Sequence, residues 1–279
     1  MRKLFISADM EGCAAVSAPQ ALMHDRWAWE WTSARRWMTQ EVAAASEAAL
    51  EAGFSEVIVA DGHGSAHSIE PEGLPDNVRL VRSWPRPLLQ MQGVEVAGVE
   101  ACAFVGYHAP AGTADSVLAH SYSGASYRSI RVNGEMCSEG YLNAALAGER
   151  GLSIVFVSGD TQTIDDAARY APEAVRFISK QSLGWRSQMS LPPAQVCRML
   201  KASFADALRK PVPKPFVLSG PYRLEAEMTS YVAAETLSYL PCVSRVGAFG
   251  VEATFLSVEA TIRFISFAML YSPTGVPPI

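Results

Sequence analysis

The stretch Leu4-Phe5-Ile6-Ser7-Ala8-Asp9-Met10-Glu11-Gly12 opens as an apolar run without alternation and closes on two acids and a glycine. A short run with no polar face reads as a strand covered on both sides, the usual setting of a parallel sheet. Downstream, Thr32 to Ala52 is rich in Ala, Glu and Arg and stops at Gly53, a helix with a glycine terminator. Val57-Ile58-Val59-Ala60-Asp61 then repeats the buried-strand pattern. A β-α-β order of this kind predicts parallel strands joined by a right-handed crossover.

The pattern continues along the chain. Ala101 to Tyr107 is a third strand, ending at His108. Ser126 to Val132 runs into Asn133-Gly134, the strongest hairpin signal present. Ser138 to Glu149 is helical, Ser153 to Val157 is another buried strand, and Ile164 to Tyr170 and Pro193 to Leu208 are helices. Lys210-Pro211-Val212-Pro213-Lys214-Pro215 cannot extend the last of these. Strands are expected at Phe216-Val217-Leu218 and Val251 to Phe255, followed by an apolar helix from Val258 to Tyr271. A helix as apolar as this last one must be buried, in its own subunit or against a neighbour.

With 279 residues, 49 % of them hydrophobic, the chain is long enough for a substantial core and too apolar for disorder. A net charge of −5 and the lack of a basic stripe argue against nucleic acid as a partner. The apolar run near the start meets Asp9 too soon for a signal-peptide core. No stretch approaches the roughly 20 apolar residues of a membrane span. Cys13, Cys102, Cys137, Cys197 and Cys242 are odd in number and show no paired spacing, which suggests a reducing, cytoplasmic setting.

The chemistry gathers at strand ends. Asp9 and Glu11 close the first strand, His63 follows the second within Asp61-Gly62-His63-Gly64-Ser65, and His108 follows the third. In open parallel sheets these ends share one edge, and ligands bind there. Alternate residues of an extended chain face one side, so Asp9 and Glu11 point together while Met10 packs behind. Two facing carboxylates need a cation or a shared proton, and carboxylate with imidazole is a ligand set that zinc accepts at catalytic positions. Taken singly, each residue has a plainer reading. An isolated D-x-E is ordinarily a solvated pair, His63 could cap a loop, and His108 could be a hydrogen-bonded core histidine. His24 and His67 read as surface histidines.

Five segments in order, Ser7 to Gly12, Asp61 to Ser65, Gly106-Tyr107-His108-Ala109, Ala119-His120-Ser121, and Asn133 through Ala144, resemble the zinc-dependent D-aminopeptidases of the bacterial dipeptide-transport operon. Ser158-Gly159-Asp160 and Lys180-Gln181 resemble them too, and beyond Gln181 the likeness is faint. The resemblance implies a layered α/β/α fold with a largely parallel central sheet and a smaller C-terminal α/β part. Residues 1–190 would be the metal-binding catalytic region, and 191–279 a C-terminal region packed on it and contributing to oligomer contacts. It further implies two Zn2+ per subunit, with Asp9 bridging them and Glu11, His63, His108 and Glu139 as the other ligands. His120 matches the family's catalytic histidine, and the assembly implied is a homo-oligomeric stacked-ring decamer.

Two departures bear on the substrate. Cys13-Ala14-Ala15 stands where the family more often has an aliphatic residue and then a glycine, and Trp27, Trp29, Trp31 and Trp37 crowd the segment that follows. The tryptophans either line a pocket for a large acyl group or pack in the core or at a subunit contact. The expected activity is release of N-terminal D-amino acids from short peptides or amides. A metal-dependent amidase or lactam hydrolase acting on a small amide is the alternative, and a non-catalytic metal-dependent binding protein a second.

Overall fold

The computed structural model describes residues 2–18 and 28–271; His24 and Trp27 lie outside them, as does the side chain of Trp29. The first strand, β1 (Lys3–Ala8), pairs in parallel with β2 (Glu56–Asp61) on one side and β4 (Val99–Tyr107) on the other. Beyond β2 lies the short β3 (Val78–Val81), and beyond β4 lie β7 (Ile154–Asp160) and β8 (Val175–Gly184). A short antiparallel strand, β9 (Ser187–Met189), completes the order β3-β2-β1-β4-β7-β8-β9. The chain therefore builds outward from β1 in one direction, then returns to β4 on its other flank. The switch of direction opens a crevice between the carboxyl ends of β1 and β4, the place where ligands bind in such sheets.

The central strands are covered on both faces, as their unbroken apolar runs predict. Leu4, Ile6, Val57 and Val59 are buried under α1 (Ala28–Glu51) and α4 (Pro193–Arg209). Phe5, Ile58, Cys102 and Phe104 face a second core shared with α2 (Glu139–Glu149), α3 (Thr161–Tyr170) and α6 (Val258–Leu270). Each large side chain buried in this way contributes about 1.5–3 kcal/mol.

A smaller antiparallel sheet closes over this second core. Its order is β11-β12-β10-β5-β6, drawn from β5 (Tyr127–Val132), β6 (Glu135–Met136), β10 (Tyr222–Met228), β11 (Val243–Val246) and β12 (Gly250–Phe255). Asn133 and Gly134 both adopt positive φ, 54° and 85°, so the β5–β6 turn takes the mirror-image form that suits a twisted hairpin. α5 (Tyr231–Leu237) links β10 to β11. Among the described residues no helix is long and apolar enough to cross a membrane.

One expected strand is absent. Phe216 to Leu218 has no regular structure, and the strand of this region is β10, four residues further on. Pro215 and Pro221 lack the N–H that a ladder needs, which confines pairing to the residues after them. β3, β8, β9, β11 and α5 carry no clear signal in the sequence because they are short or have exposed alternate residues.

Gly12 fixes the turn out of β1. Its N–H donates to Gly106 O at 2.8 Å, and a Cβ at this position would stand 1.9 Å from the carbonyl oxygen of Tyr107. Backbone atoms cannot yield as a side-chain end can. Gly12→Ala is therefore expected to destabilise the fold by about 2 kcal/mol or more, read as a lower midpoint in urea unfolding.

Candidate metal centre and active-site cleft

Every residue of the expected constellation reaches the crevice. Asp9 leaves the end of β1 with its N–H bonded to Val105 O at 2.8 Å. His63 follows β2 on a loop organised by Asp61, whose carboxylate accepts from the N–H groups of Ser68 at 2.7 Å, Ile69 at 2.8 Å and His63 at 3.3 Å. His108 directly follows β4, and its Nδ1 lies 3.0 Å from Ala109 O. Glu139 stands in the first turn of α2, where a carboxylate is favoured by the helix dipole, behind the N-cap Ser138.

Asp9 lies between two groups of side chains. Its Oδ1 is 3.4 Å from Nδ1 of His63, which in turn is 3.0 Å from Oε2 of Glu11. Its Oδ2 is 3.6 Å from Nε2 of His108, which is 3.2 Å from Oε1 of Glu139. The cluster thus divides into Asp9, Glu11 and His63 on one side and His108, His120 and Glu139 on the other. Each set is close enough to hold one ion.

Five of these six residues are buried, and three are carboxylates. Burial, then the charge of Glu11, drives the Asp9 carboxyl well above its ordinary range. Burial acts the same way on Glu11 and Glu139, but His63 holds the first well below the usual range and His108 holds the second at about 2. Burial would lower both imidazoles, yet Glu11 raises His63 well above its usual value and Glu139 raises His108 to about 10. The acids thus demand positive charge, from imidazolium or from a cation. Among the described residues, neither Nε2 of His108, turned toward Asp9 and Glu139, nor Nε2 of His63 finds a hydrogen-bond partner. Mixed imidazole and carboxylate donors, two of the imidazole nitrogens buried without a partner, fit zinc.

Supporting residues to which the sequence assigns no role hold the acids in place. Gln90 donates from Nε2 to Glu139, and Gln90 Oε1 accepts from Asn143 at 2.9 Å. The N–H of Tyr122 donates to Glu139 Oε1 at 2.6 Å. Lys180, buried on β8, donates from Nζ to the carbonyls of Glu11, Cys13 (2.9 Å) and Val16 (2.5 Å). Burial lowers its ammonium to about 8. Ser179 Oγ donates to Gly12 O, and Glu41, pushed up by burial to about 7, accepts from Ala14 N–H at 2.7 Å. The loop that presents Glu11 is therefore tied at nearly every residue. Gln90 sits in a single 3-10 turn (Leu89–Met91) and Tyr122 in an irregular loop, both too short for any periodicity to mark them.

His120 occupies the rim, with its ring stacked on that of His108 at 4.1 Å between centroids. Its Nδ1 is 3.0 Å from Leu118 O, and its Nε2 is 3.7 Å from Glu139 Oε1. Burial, then the charge of His108, lowers its pKa. Leu118 and Tyr122, on either side, have positive φ of 56° and 57°. Such backbone is uncommon outside glycine and persists where the surroundings enforce it. Part of that enforcement comes from Asp160, which accepts from Ser116 Oγ at 3.0 Å and Val117 N–H at 2.7 Å.

The cleft in front of these residues has a volume of about 420 Å³, with Trp84, Leu89, Met269 and Leu270 among its apolar walls. Trp31 lies behind His63, ring centroids 6.3 Å apart, and Trp37 packs against the core under α1. The Cys13 thiol turns to the main-chain oxygen of Asp9 at 3.3 Å. His67 is exposed.

The family model described as D-aminopeptidase matches residues 1–267. The chain is 28 % identical over 240 residues to the D-aminopeptidase of Bacillus subtilis (strain 168), covering 86 % of each protein. It also superposes on the solved structure of the Zn-dependent D-aminopeptidase DppA from Bacillus subtilis, described as a self-compartmentalizing protease. The TM-score is 0.87 at 26 % identity, over 97 % of this chain and 99 % of that one. With a family match spanning nearly its whole length, the chain belongs to the D-aminopeptidase family and is a hydrolase.

Proposed function

We propose that the protein is a dinuclear zinc aminopeptidase that releases N-terminal D-amino acids from short peptides or amides. Its metal ligands in this reading are Asp9, Glu11, His63, His108 and Glu139. The observation that carries it is the division of Asp9, one carboxylate oxygen toward His63 and the other toward His108. One acid facing two sets of nitrogen and oxygen donors is the arrangement of a bridging ligand. Zinc, when bound, supplies Lewis acidity and a water acidified toward neutral pH.

The chain's own groups do the rest. Asp9, Glu11, His63 and Glu139 all line one cleft, so the substrate's amino end and its scissile carbonyl are placed there, against the metal donors. Gln90 and Tyr122 fix Glu139, and Lys180 fixes the Glu11 loop, so the donors need no rearrangement when substrate arrives. With Nδ1–H donated to Leu118 O, neutral His120 leaves the Nε2 lone pair toward the cleft. Its lowered pKa favours that form. In hydrolysis a water oxygen bonds to the carbonyl carbon and the C–N bond breaks. His120 accepts the water's proton and passes it to the departing nitrogen.

Geometry alone also groups His120 with His108 and Glu139, so a ligand role is the competing assignment. His120→Ala should keep its full zinc content and its fold while turnover of D-aminoacyl amides falls by roughly 10²–10⁴. Loss of zinc in that variant would make His120 a ligand instead. Asp9→Asn should lose both metals and Glu11→Gln mainly one; a full complement in Asp9→Asn by elemental analysis would end the bridging assignment.

This reading extends to the assembly, a closed homo-oligomer with a stacked-ring decamer as its form, working in the reducing cytoplasm. Three of the five cysteines are buried as free thiols, which supports that compartment. The structural relative is described as self-compartmentalizing. On α6 one side is buried through Ile262 and Ile265, while Phe267 and Leu270 are exposed, an apolar face suited to a subunit contact from the 191–279 region. Light scattering should return a multiple of 30.1 kDa. A fully active monomer would exclude the assembly and leave the zinc chemistry intact.

A further inference from the structure

A second cleft, of about 440 Å³, adjoins the first and, among the described residues, shares only Glu11 and His120 with it. Its other walls include Leu118, Tyr127, Arg128 and Trp185. The geometry points to this cleft as the subsite for the part of the substrate that follows the scissile bond, there accepting a short peptide remainder with an apolar side chain and a free carboxylate. The inference rests on the aminopeptidase reading above.

Position supplies the first argument. Asp9, Glu11, His63 and Glu139 all line the first cleft, so the substrate's amino end and the carbonyl under attack belong there. The nitrogen that leaves must receive its proton from His120. The chain attached to that nitrogen continues past the ring, and the space past the ring is the second cleft.

Chemistry supplies the second. Trp185 and Leu118 give an apolar wall, and Trp185 is half exposed, with its ring available to a side chain. Arg128 offers a guanidinium stacked 3.9 Å from the Phe249 ring, with Glu227 at 3.7 Å as a loose ionic partner. Glu11, shared with the first cleft, is the only acid in the lining among the described residues. A carboxylate entering beside Arg128 is a better match for a guanidinium fork than a side chain at 3.7 Å.

Coupling to the catalytic ring is direct. The N–H of Leu118 donates to Trp185 O at 2.9 Å, and Leu118 O is the partner of His120 Nδ1. The turn between β8 and β9, which carries Trp185, is thereby bound to the loop that presents His120. Occupancy of the subsite and placement of the proton-transfer group share one backbone segment.

The test compares three substrates of the zinc-loaded protein: D-alanyl-D-phenylalanine, its C-terminal amide, and D-alaninamide, whose leaving group is ammonia and cannot fill the second cleft. Trp185→Ala is expected to raise KM for the dipeptide roughly five- to tenfold more than KM for D-alaninamide. Arg128→Gln is expected to erase the preference of the unaltered protein for the dipeptide over the dipeptide amide. Equal losses on all three substrates, or no loss on the dipeptide, would overturn the subsite. If the unaltered zinc-loaded protein turns over neither these substrates nor their D-phenylalanyl counterparts, the aminopeptidase reading fails and this inference falls with it; turnover of the amino-acid amide alone refutes only the subsite.

Discussion

Three carboxylates buried within a few ångströms of one another set the terms for this structure. Asp9, Glu11 and Glu139 are each almost wholly withdrawn from water, where an unpaired charge is too costly to keep. His63 and His108 stand between them, and the pattern of shifts shows how hard the acids pull: both imidazoles are driven up despite burial, while Glu11 and Glu139 are driven down. A divalent cation answers the same demand and leaves the imidazoles neutral as ligands.

Such a cluster survives only if its backbone cannot relax. Charge repulsion would spread the Asp9–Val16 segment were it free to move, and the segment is held from three directions. Gly12 is pressed against β4, Lys180 and Ser179 reach across from β8 to its carbonyls, and Glu41 takes the N–H of Ala14 from α1. Asp61 and Asp160, each at the end of a strand, do comparable work for the loops of His63 and His120. These acids accept main-chain N–H bonds and contribute no side chain to the ion sites, so the fold spends buried charge on loop geometry as well as on metal binding.

The sheet explains why such distant residues share a site. β1 lies at the centre with β2 on one flank and β4 on the other, so three strand ends deliver Asp9, His63 and His108 to one edge. Glu139 arrives differently, from the first turn of α2 after the β5–β6 hairpin, and His120 from a loop of left-handed residues. Side chains placed on short, anchored loops above a rigid sheet combine fixed position with access from outside.

The parallel sheet, the principal helices and the Asn133-Gly134 hairpin were legible in the sequence because local physics sets them: unbroken apolar runs, a glycine stop, a turn that needs positive φ. The strand-end acids and histidines were legible as a group for the same reason, since parallel strands bring their carboxyl ends together whatever the rest of the fold does. The proposed ligand set and the proposed part of His120 come from resemblance, because a lone histidine carries no periodic signal. The strand expected at Phe216–Leu218 failed because the prolines around it outweigh its apolar character. Only the tertiary structure decided that Asp9 turns one oxygen to each neighbour, that Gln90 and Tyr122 hold Glu139, that Lys180 ties the Glu11 loop, and that His120 divides two clefts. Those are contacts between residues as much as 169 positions apart, and no local pattern in a chain encodes the distance between groups that meet only when it folds.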